Sequence, residues 1–333
     1  MLRRALATEA PAVLPRRAAL APRRRRQPIH TSPAAHNVGT TSTTSALPSS
    51  SSTAPPLSTV NQAEIAHFSR LSSLWWDEHG EFALLHRMNP TRAQFVRDKV
   101  REAALDDHGE TQTHALEGLD VLDVGCGGGI LAESLARMGA RTLGVDASAA
   151  NIAIASLHAA QDPLLAPDAG RLAYRHASAE ELVREQRRFD VVCSMEVLEH
   201  VDNPAAFLAS CAELVKPGGH LFLSTIARTP LAYLLTIFAA EDALRLVAPG
   251  THTYSKFVNP TELIDFFARH GATEEGGKPW ISRTYGGQPP RREAEVRGMM
   301  YVPWRGEWVL APRVAGSWGA ECNYLFWVRK PAA

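Results

Sequence analysis

The sequence predicts an α/β fold, a doubly wound and mostly parallel sheet with helices on both faces. Three observations predict it. Short apolar runs alternate with helical patterns from residue 119 to residue 225. One run, Val121 to Val124, breaks into glycines at 125, 127, 128 and 129, and a helix pattern with Ile130, Leu131, Leu135 and Met138 on one face follows at once. Lys216-Pro-Gly-Gly219 then makes a turn before a fifth strand. Strand, glycine turn and helix form a nucleotide-binding unit, because a backbone without side chains lets a ligand approach a helix N-terminus.

The first sixty residues stand apart. They carry eight Arg, no Lys and one acid, Glu9, and Ser and Thr crowd 40–53. An Arg-rich, Ser-rich, acid-poor leader of this kind predicts a mitochondrial transit peptide and linker over 1–60, processed somewhere between about 26 and 60. The alternative is a basic tail that binds polyanions. No long apolar stretch points to secretion. The remaining residues hold 27 basic and 34 acidic side chains, which argues against nucleic-acid binding by bulk charge. Cys126, Cys193, Cys211 and Cys322 are scattered without a Cys-x-x-Cys pair, so they read as reduced, separate thiols.

From 61 to 330 one domain is expected. Residues 61–85 read as a helical extension ending in an aromatic, acidic turn, Trp75-Trp76-Asp77-Glu78-His79-Gly80-Glu81-Phe82, whose tryptophans suit packing. A second helix follows from about 86–92 to 104. Arg92 on it is either a solvated charge or a partner for a ligand carboxylate. Strands are expected at 119–124, 141–145, 171–175, 189–194 and 220–225, with helices at 130–138, 148–160 and 204–214. Asn203-Pro204 supplies the cap and first residue of the last of these. A helix at 260–270 and two β segments, 280–285 and 323–329, close the chain. Between strand five and that helix lies an insertion, 228–259. Its apolar run, 231–240, is too short to span a bilayer. It is either a core or lid helix, or an amphipathic element meeting a membrane or an apolar substrate.

A dinucleotide fingerprint needs glycine at 125, 127 and 130, and position 130 is Ile. The pattern is instead Asp123-Val-Gly125-Cys-Gly127-Gly-Gly129. Asp146 ends strand two, where a carboxylate can take hydrogen bonds from ribose hydroxyls. Together with the Lys-Pro-Gly-Gly turn and the repeated βα steps, this set resembles the class I S-adenosylmethionine (SAM) methyltransferases. That resemblance implies a seven-stranded, Rossmann-like sheet, a loop shaped by Gly125 and Gly127 against the methionine part of SAM, and ribose binding by Asp146. The acid often seen after strand three in such enzymes is not obvious in His176-Ala-Ser-Ala-Glu180.

Strand four should lie beside strand one, where strand order reverses, so its C-terminal loop overhangs the ligand crevice. There Glu196, Glu199 and His200 fall at i, i+3 and i+4, and one helical turn would gather them on one face. They are solvated charges, a site for a hard cation, or a proton acceptor beside the methyl group. A phenol, with a pKa of about 10, is mostly unionised at neutral pH and needs a base or a Lewis acid. Two carboxylates suit magnesium; His200 suits it less and points also to a base.

Several runs narrow the resemblance. Glu64-Ile-Ala-His-Phe68, Trp75-Trp76-Asp77, Gly80-Glu-Phe82, Leu85-His-Arg-Met-Asn-Pro90 with Arg92, Leu122 to Ser134, Met195-Glu-Val-Leu-Glu-His-Val201 and Gly250-Thr-His252 resemble the ubiquinone-biosynthesis O-methyltransferases. The match covers about 61 to 330. It implies methylation of polyprenyl-dihydroxybenzoate and demethylubiquinol, SAM contacts at Arg92, Gly125, Asp146 and Met195, and a magnesium site at Glu196, Glu199 and His200. It also implies that 228–259 meets membrane and polyprenyl tail, at the matrix face of the mitochondrial inner membrane, within a complex of ubiquinone-synthesis proteins. Two stretches, 161–171 and 286–298, depart from the compact bacterial form and read as surface loops. The competing readings are a methyltransferase for another apolar phenol, an NAD-linked oxidoreductase disfavoured by Ile130, and a catalytically silent lipid-binding subunit.

Overall fold

The computed structural model describes residues 58–109, 114–243, 253–272 and 277–332. The leader up to residue 57, Arg245 and the Gly250-Thr-His252 motif lie outside these residues.

The α/β expectation holds. After α1 (Gln62–Arg70) and α2 (Ala83–His108), the chain runs β1 (Asp120–Val124), α3 (Ile130–Arg137), β2 (Arg141–Asp146), α4 (Ala149–Ala159), β3 (Leu172–His176) and α5 (Ala179–Arg184). It continues through β4 (Phe189–Met195), α6 (Pro204–Glu213), β5 (Val215–Ile226), α7 (Pro230–Ala232) and α8 (Pro260–Arg269), and ends in β6 (Ala294–Val302), β7 (Glu307–Leu310) and β8 (Asn323–Arg329). The strands form one sheet in the order β3-β2-β1-β4-β5-β8-β6-β7. β1 to β5 are parallel, and β8, β6 and β7 pair antiparallel with their neighbours. Strand order reverses between β1 and β4, which opens the ligand crevice at their carboxyl ends.

Side chains alternate across each strand, so each strand feeds two cores. Leu122, Val192, Leu221 and Phe326 face α5, α6 and α8, where Leu182, Phe207, Leu208 and Phe267 cover them. Val121, Cys193, Phe222 and Trp327 face α2 and α3, where Phe95, Val96, Leu131 and Leu135 cover them. Each fully buried Leu, Phe or Val of this set contributes about 1.5–3 kcal/mol.

Three expectations are corrected. The second helix starts at Ala83 and carries Pro90 inside it. Tertiary ties offset that interior proline: Asn89 donates to Ile130 O at 3.1 Å and to Ser134 Oγ at 2.8 Å, and Thr91 donates to Trp308 O at 2.8 Å. The strand expected at 280–285 is instead β6, which begins inside the stretch read as a 286–298 surface loop; Tyr285 and Gln288 form only an isolated bridge. β6 was hidden because it puts Glu295 into a buried site. There Glu295 meets Lys99, which is 2% exposed, at 2.8 Å, and Lys99 also lies 4.0 Å over the Trp327 ring. Finally, the hairpin turn after β6 adds β7 at the sheet edge, giving eight strands rather than seven.

Candidate active site

A cavity of about 660 Å³ opens along the carboxyl edge of the sheet. Arg92, Gly125, Gly127, Asp146, Met195, Glu196 and His200 all line it, so the structure brings together most of the residues singled out from sequence. Glu199 is not on that wall; it is buried behind it.

The glycine loop is folded by backbone bonds. Gly125 N and Cys126 N donate to Val145 O at 2.8 and 3.0 Å. Gly127 N donates to Asp146 Oδ2 at 2.9 Å, while Ser148 N and Asn151 Nδ2 donate to Asp146 Oδ1 at 2.8 and 3.2 Å. Asp146 therefore braces the loop as well as facing the cavity. Gly125 and Gly127 have φ of +73° and +54°, in the left-handed region. A Cβ on Gly125 would lie 2.5 Å from Val197, and one on Gly127 would lie 2.4 Å from the Trp75 ring. Ile130, in place of a third fingerprint glycine, packs with Trp75 and Phe82.

Beneath the loop, Arg92 and Asp123 are 3% and 2% exposed. Arg92 Nη2 reaches Asn89 Oδ1 at 3.3 Å, but Arg92 Nε and Asp123 Oδ2 have no hydrogen-bond partner among the described residues. Burial pushes the Asp123 carboxyl up to about 7 against the pull of Arg92, and burial also lowers the Arg92 pKa, opposed by Glu196 and Asp123. Burial likewise raises Asp146, against its backbone and Asn151 hydrogen bonds. A buried cation and a buried carboxyl with open valences match a zwitterion, carboxylate to Arg92 and ammonium to Asp123.

The loop after β4 does not form the expected single turn. Glu196 sits at φ +58°, its N–H bonded to Ser224 O at 3.0 Å, and a short 3₁₀ turn follows at Leu198–His200. That kink ends the helical turn, and the side chains beyond it are tied to different partners. Glu199 Oε2 accepts from Thr225 Oγ1 at 2.9 Å, and Glu199 Oε1 is buried without a hydrogen-bond partner among the described residues. His200 Nδ1 pairs with Glu64 Oε2 at 3.1 Å, and Lys256 Nζ holds Glu64 Oε1 at 3.1 Å. His200 first, with Lys256, brings the Glu64 pKa down to about 2 despite burial. Burial opposes protonation of His200, but the Glu64, Glu199 and Glu196 carboxylates outweigh it and raise its pKa. Among the described residues no three His, Cys, Asp or Glu side chains are grouped to hold a metal ion.

Sequence reasoning missed the strap formed by residues 59–82. Thr59 donates through its hydroxyl and amide to Glu180, and its carbonyl accepts from Asp202 N at 3.0 Å. Ser69 Oγ meets Ser148 Oγ at 2.7 Å, Trp75 Nε1 donates to Asn151 Oδ1 at 3.0 Å, and Trp76 Nε1 donates to Gly128 O at 3.0 Å. The strap thus touches the loops after β1, β2, β3 and β4 and roofs the cavity. The two tryptophans do pack, as expected, but they pack against the ligand loop. Glu180, four residues past β3 and held by Thr59, lines the cavity with Ser178.

A family model described as a methyltransferase domain matches residues 86–273. The mitochondrial ubiquinone biosynthesis O-methyltransferase of Schizosaccharomyces pombe is 42% identical over 272 residues, covering 82% of this chain and 87% of that protein. The ubiquinone biosynthesis O-methyltransferase of Brucella ovis is 45% identical over 211 residues, covering 63% of this chain and 82% of that protein. Among solved structures, a magnesium protoporphyrin IX methyltransferase from Synechocystis with bound S-adenosylhomocysteine is similar at 17% identity and a TM-score of 0.46, covering 80% of this chain and 94% of that one. Identity of this extent along the chain, together with the methyltransferase domain match, places the chain in the ubiquinone biosynthesis O-methyltransferase family.

Proposed function

We propose that this chain transfers the methyl group of SAM to a catechol-type oxygen of a polyprenylated phenol, polyprenyl-dihydroxybenzoate and demethylubiquinol being the substrates implied by its family. The observation that carries the reading is the joined cavity. Its lining brings Arg92, Asp123, Gly125, Gly127, Asp146 and Met195 together with apolar side chains from β5 to β7 such as Ile226, Met299 and Trp308. In this reading Arg92 takes the methionine carboxylate, Asp123 the ammonium and Asp146 the ribose hydroxyls, while Met195 flanks the sulfonium. A sulfonium already activates its methyl group, so the residues mainly align the nucleophile with the methyl carbon and leaving sulfur. His200, oriented through Nδ1 by Glu64, accepts the phenol proton as the oxygen attacks.

The donor chemistry of Glu196 and Glu199 fits a hard cation, since Glu199 Oε1 is a buried carboxylate oxygen without a hydrogen-bond partner among the described residues. We assign magnesium to these two carboxylates; His200, committed to Glu64, is the weaker third ligand. Bound there, the ion would lower the pKa of a catechol oxygen.

Residues 1–60 are proposed to deliver the chain to mitochondria, leaving 61–330 as the working domain, peripheral on the matrix side of the inner membrane and within a ubiquinone-synthesis complex. The mitochondrial fungal relative supports the compartment. The described start of the 228–259 insertion supports the membrane reading: Leu231, Leu234, Leu235 and Phe238 are all at least 46% exposed. No helix among the described residues is long and apolar enough to cross a membrane.

The test is transfer of label from methyl-labelled SAM to a polyprenyl catechol, with and without chelator. Transfer with magnesium that chelator suppresses supports both assignments. Undiminished transfer in chelator removes the metal, and no transfer under either condition removes the function.

A further inference from the structure

On the side of the cavity away from the glycine loop, where the sheet order sets β5, β8, β6 and β7, Ile226, Met299 and Trp308 line the wall. An arene entering it loses its water and needs a few placed polar groups to fix its orientation. One such group is in position. Asn323 is 7% exposed and lies on the cavity wall. Its place is set by register. β8 runs antiparallel to β5, so its first residue stands at the carboxyl edge of the parallel strands, pairing with Ile226 on one side and Met299 on the other. The sheet order β4-β5-β8 puts it two strands from Met195, and the register, Met195 opposite Ser224 and Ser224 opposite Leu325, sets it two residues further along, about 12 Å away at the usual strand spacing and rise. A methyl group and an aromatic ring fill a gap of that size.

The carboxamide is half used. Its Oδ1 takes the Cys322 thiol at 3.4 Å, and its Nδ2 has no protein partner among the described residues. An amide N–H that opens onto a cavity donates to whatever occupies it, and a ligand that displaces the water there must accept from it in turn. Glu196 shares this space: burial above all, with the Glu196 carboxylate adding to it, pushes the Cys322 thiol up to about 11.

We propose that Asn323 orients the substrate, its carboxamide N–H donating to the ring oxygen next to the one that receives the methyl group. The reacting oxygen must face the methyl donor on the Met195–Glu196 side. The second oxygen of an ortho-dioxygenated ring then falls toward β8. Asn323 thereby selects dioxygenated rings over simple phenols. This assignment rests on the catechol O-methyltransferase reading above.

The experiment measures binding to the full chain loaded with S-adenosylhomocysteine, in chelator so that no cation contributes. The probes are a catechol bearing a short prenyl chain and the same molecule lacking one hydroxyl. Wild type is expected to prefer the catechol about tenfold, the value of one neutral hydrogen bond. Asn323→Ala and the shape-preserving Asn323→Asp are expected to lose that preference while keeping S-adenosylhomocysteine affinity, and a purely structural role would weaken both probes alike. A preference retained in either folded variant overturns the assignment. Failure of wild type to transfer label from SAM to the catechol overturns the reading beneath it, whereas transfer with an unchanged preference overturns Asn323 alone.

Discussion

At the glycine-loop end of the cavity, the bonds that shape the loop itself join residues close in sequence: Gly127, Ser148 and Asn151 all donate to Asp146 across a single βαβ step, with the strap added from outside. At the far end, the wall is assembled from α2, β5, β6, β7 and β8, segments more than two hundred residues apart at the extremes. Local backbone geometry builds the first. Long-range packing and buried ion pairs hold the second, as in Lys99 with Glu295 and Thr91 with Trp308 O. The contrast teaches why a cofactor end can be shared across a superfamily while the substrate end varies: one depends on a short motif, the other on the whole chain.

The strongest way to break this comparison is at Asp146. Asp146→Ala removes the loop brace and, with it, the proposed ribose acceptor, so SAM affinity should fall about 100-fold, the loss of about 3 kcal/mol of charged hydrogen bonding. Calorimetric titration checks this, and a change under threefold would mean the loop stands without its brace.

Lys99→Ala should act on the other wall. It leaves Glu295 buried, although Arg297 and Arg313 keep part of the compensation, so the loss falls at the low end for a broken buried pair, about 3 kcal/mol. Denaturant unfolding reads it. Unchanged stability would show that β6 is held by apolar packing alone.

Glu64→Gln sharpens the division between binding and chemistry. The strap keeps its contacts to Ser148, Asn151 and Gly128, but His200 loses a charged partner. kcat should fall about tenfold, with SAM affinity changed less than about twofold. An equal loss in SAM affinity would make Glu64 a part of the roof only.

A smaller effect is expected with pH, away from the cavity. His220 takes a hydrogen bond from Trp327 Nε1 at 3.2 Å, and burial, with help from Arg329, brings its pKa down to about 4. The unfolded chain binds the proton first, near its ordinary value of about 6.5. Stability contributed by neutral His220 is therefore whole above about pH 6.5, declines as pH falls toward 4, and is flat below. His220→Gln should flatten that part of the stability profile measured by thermal unfolding; an unaltered slope would move the effect to another group.

How far the sequence carried these conclusions follows the same division. β1 to β5, the Asn203 cap, Asp146 and the glycine loop were legible because each rests on a local pattern: an apolar run, a capping residue, a left-handed glycine. β6 was not, since its strand carries Glu295 and Arg297 inward against partners on α2 and after β7. The Glu196, Glu199 and His200 spacing suggested one helical turn, but Glu196 at φ +58° breaks it, and no residue type announces that conformation for a glutamate. The places of Glu64 and Asn323 in the cavity were invisible for a related reason. Each acquires its meaning from a partner far along the chain, His200 in one case and the pairing with Ile226 and Met299 in the other.

The most direct measurement is a single-turnover chase. The full chain is loaded with methyl-labelled SAM, then given excess unlabelled SAM together with a prenylated catechol. The account predicts that label passes from the bound donor to a catechol oxygen, recovered in the organic extract, before exchange with the unlabelled pool. Label recovered only as free SAM, with the catechol unmodified, would contradict it.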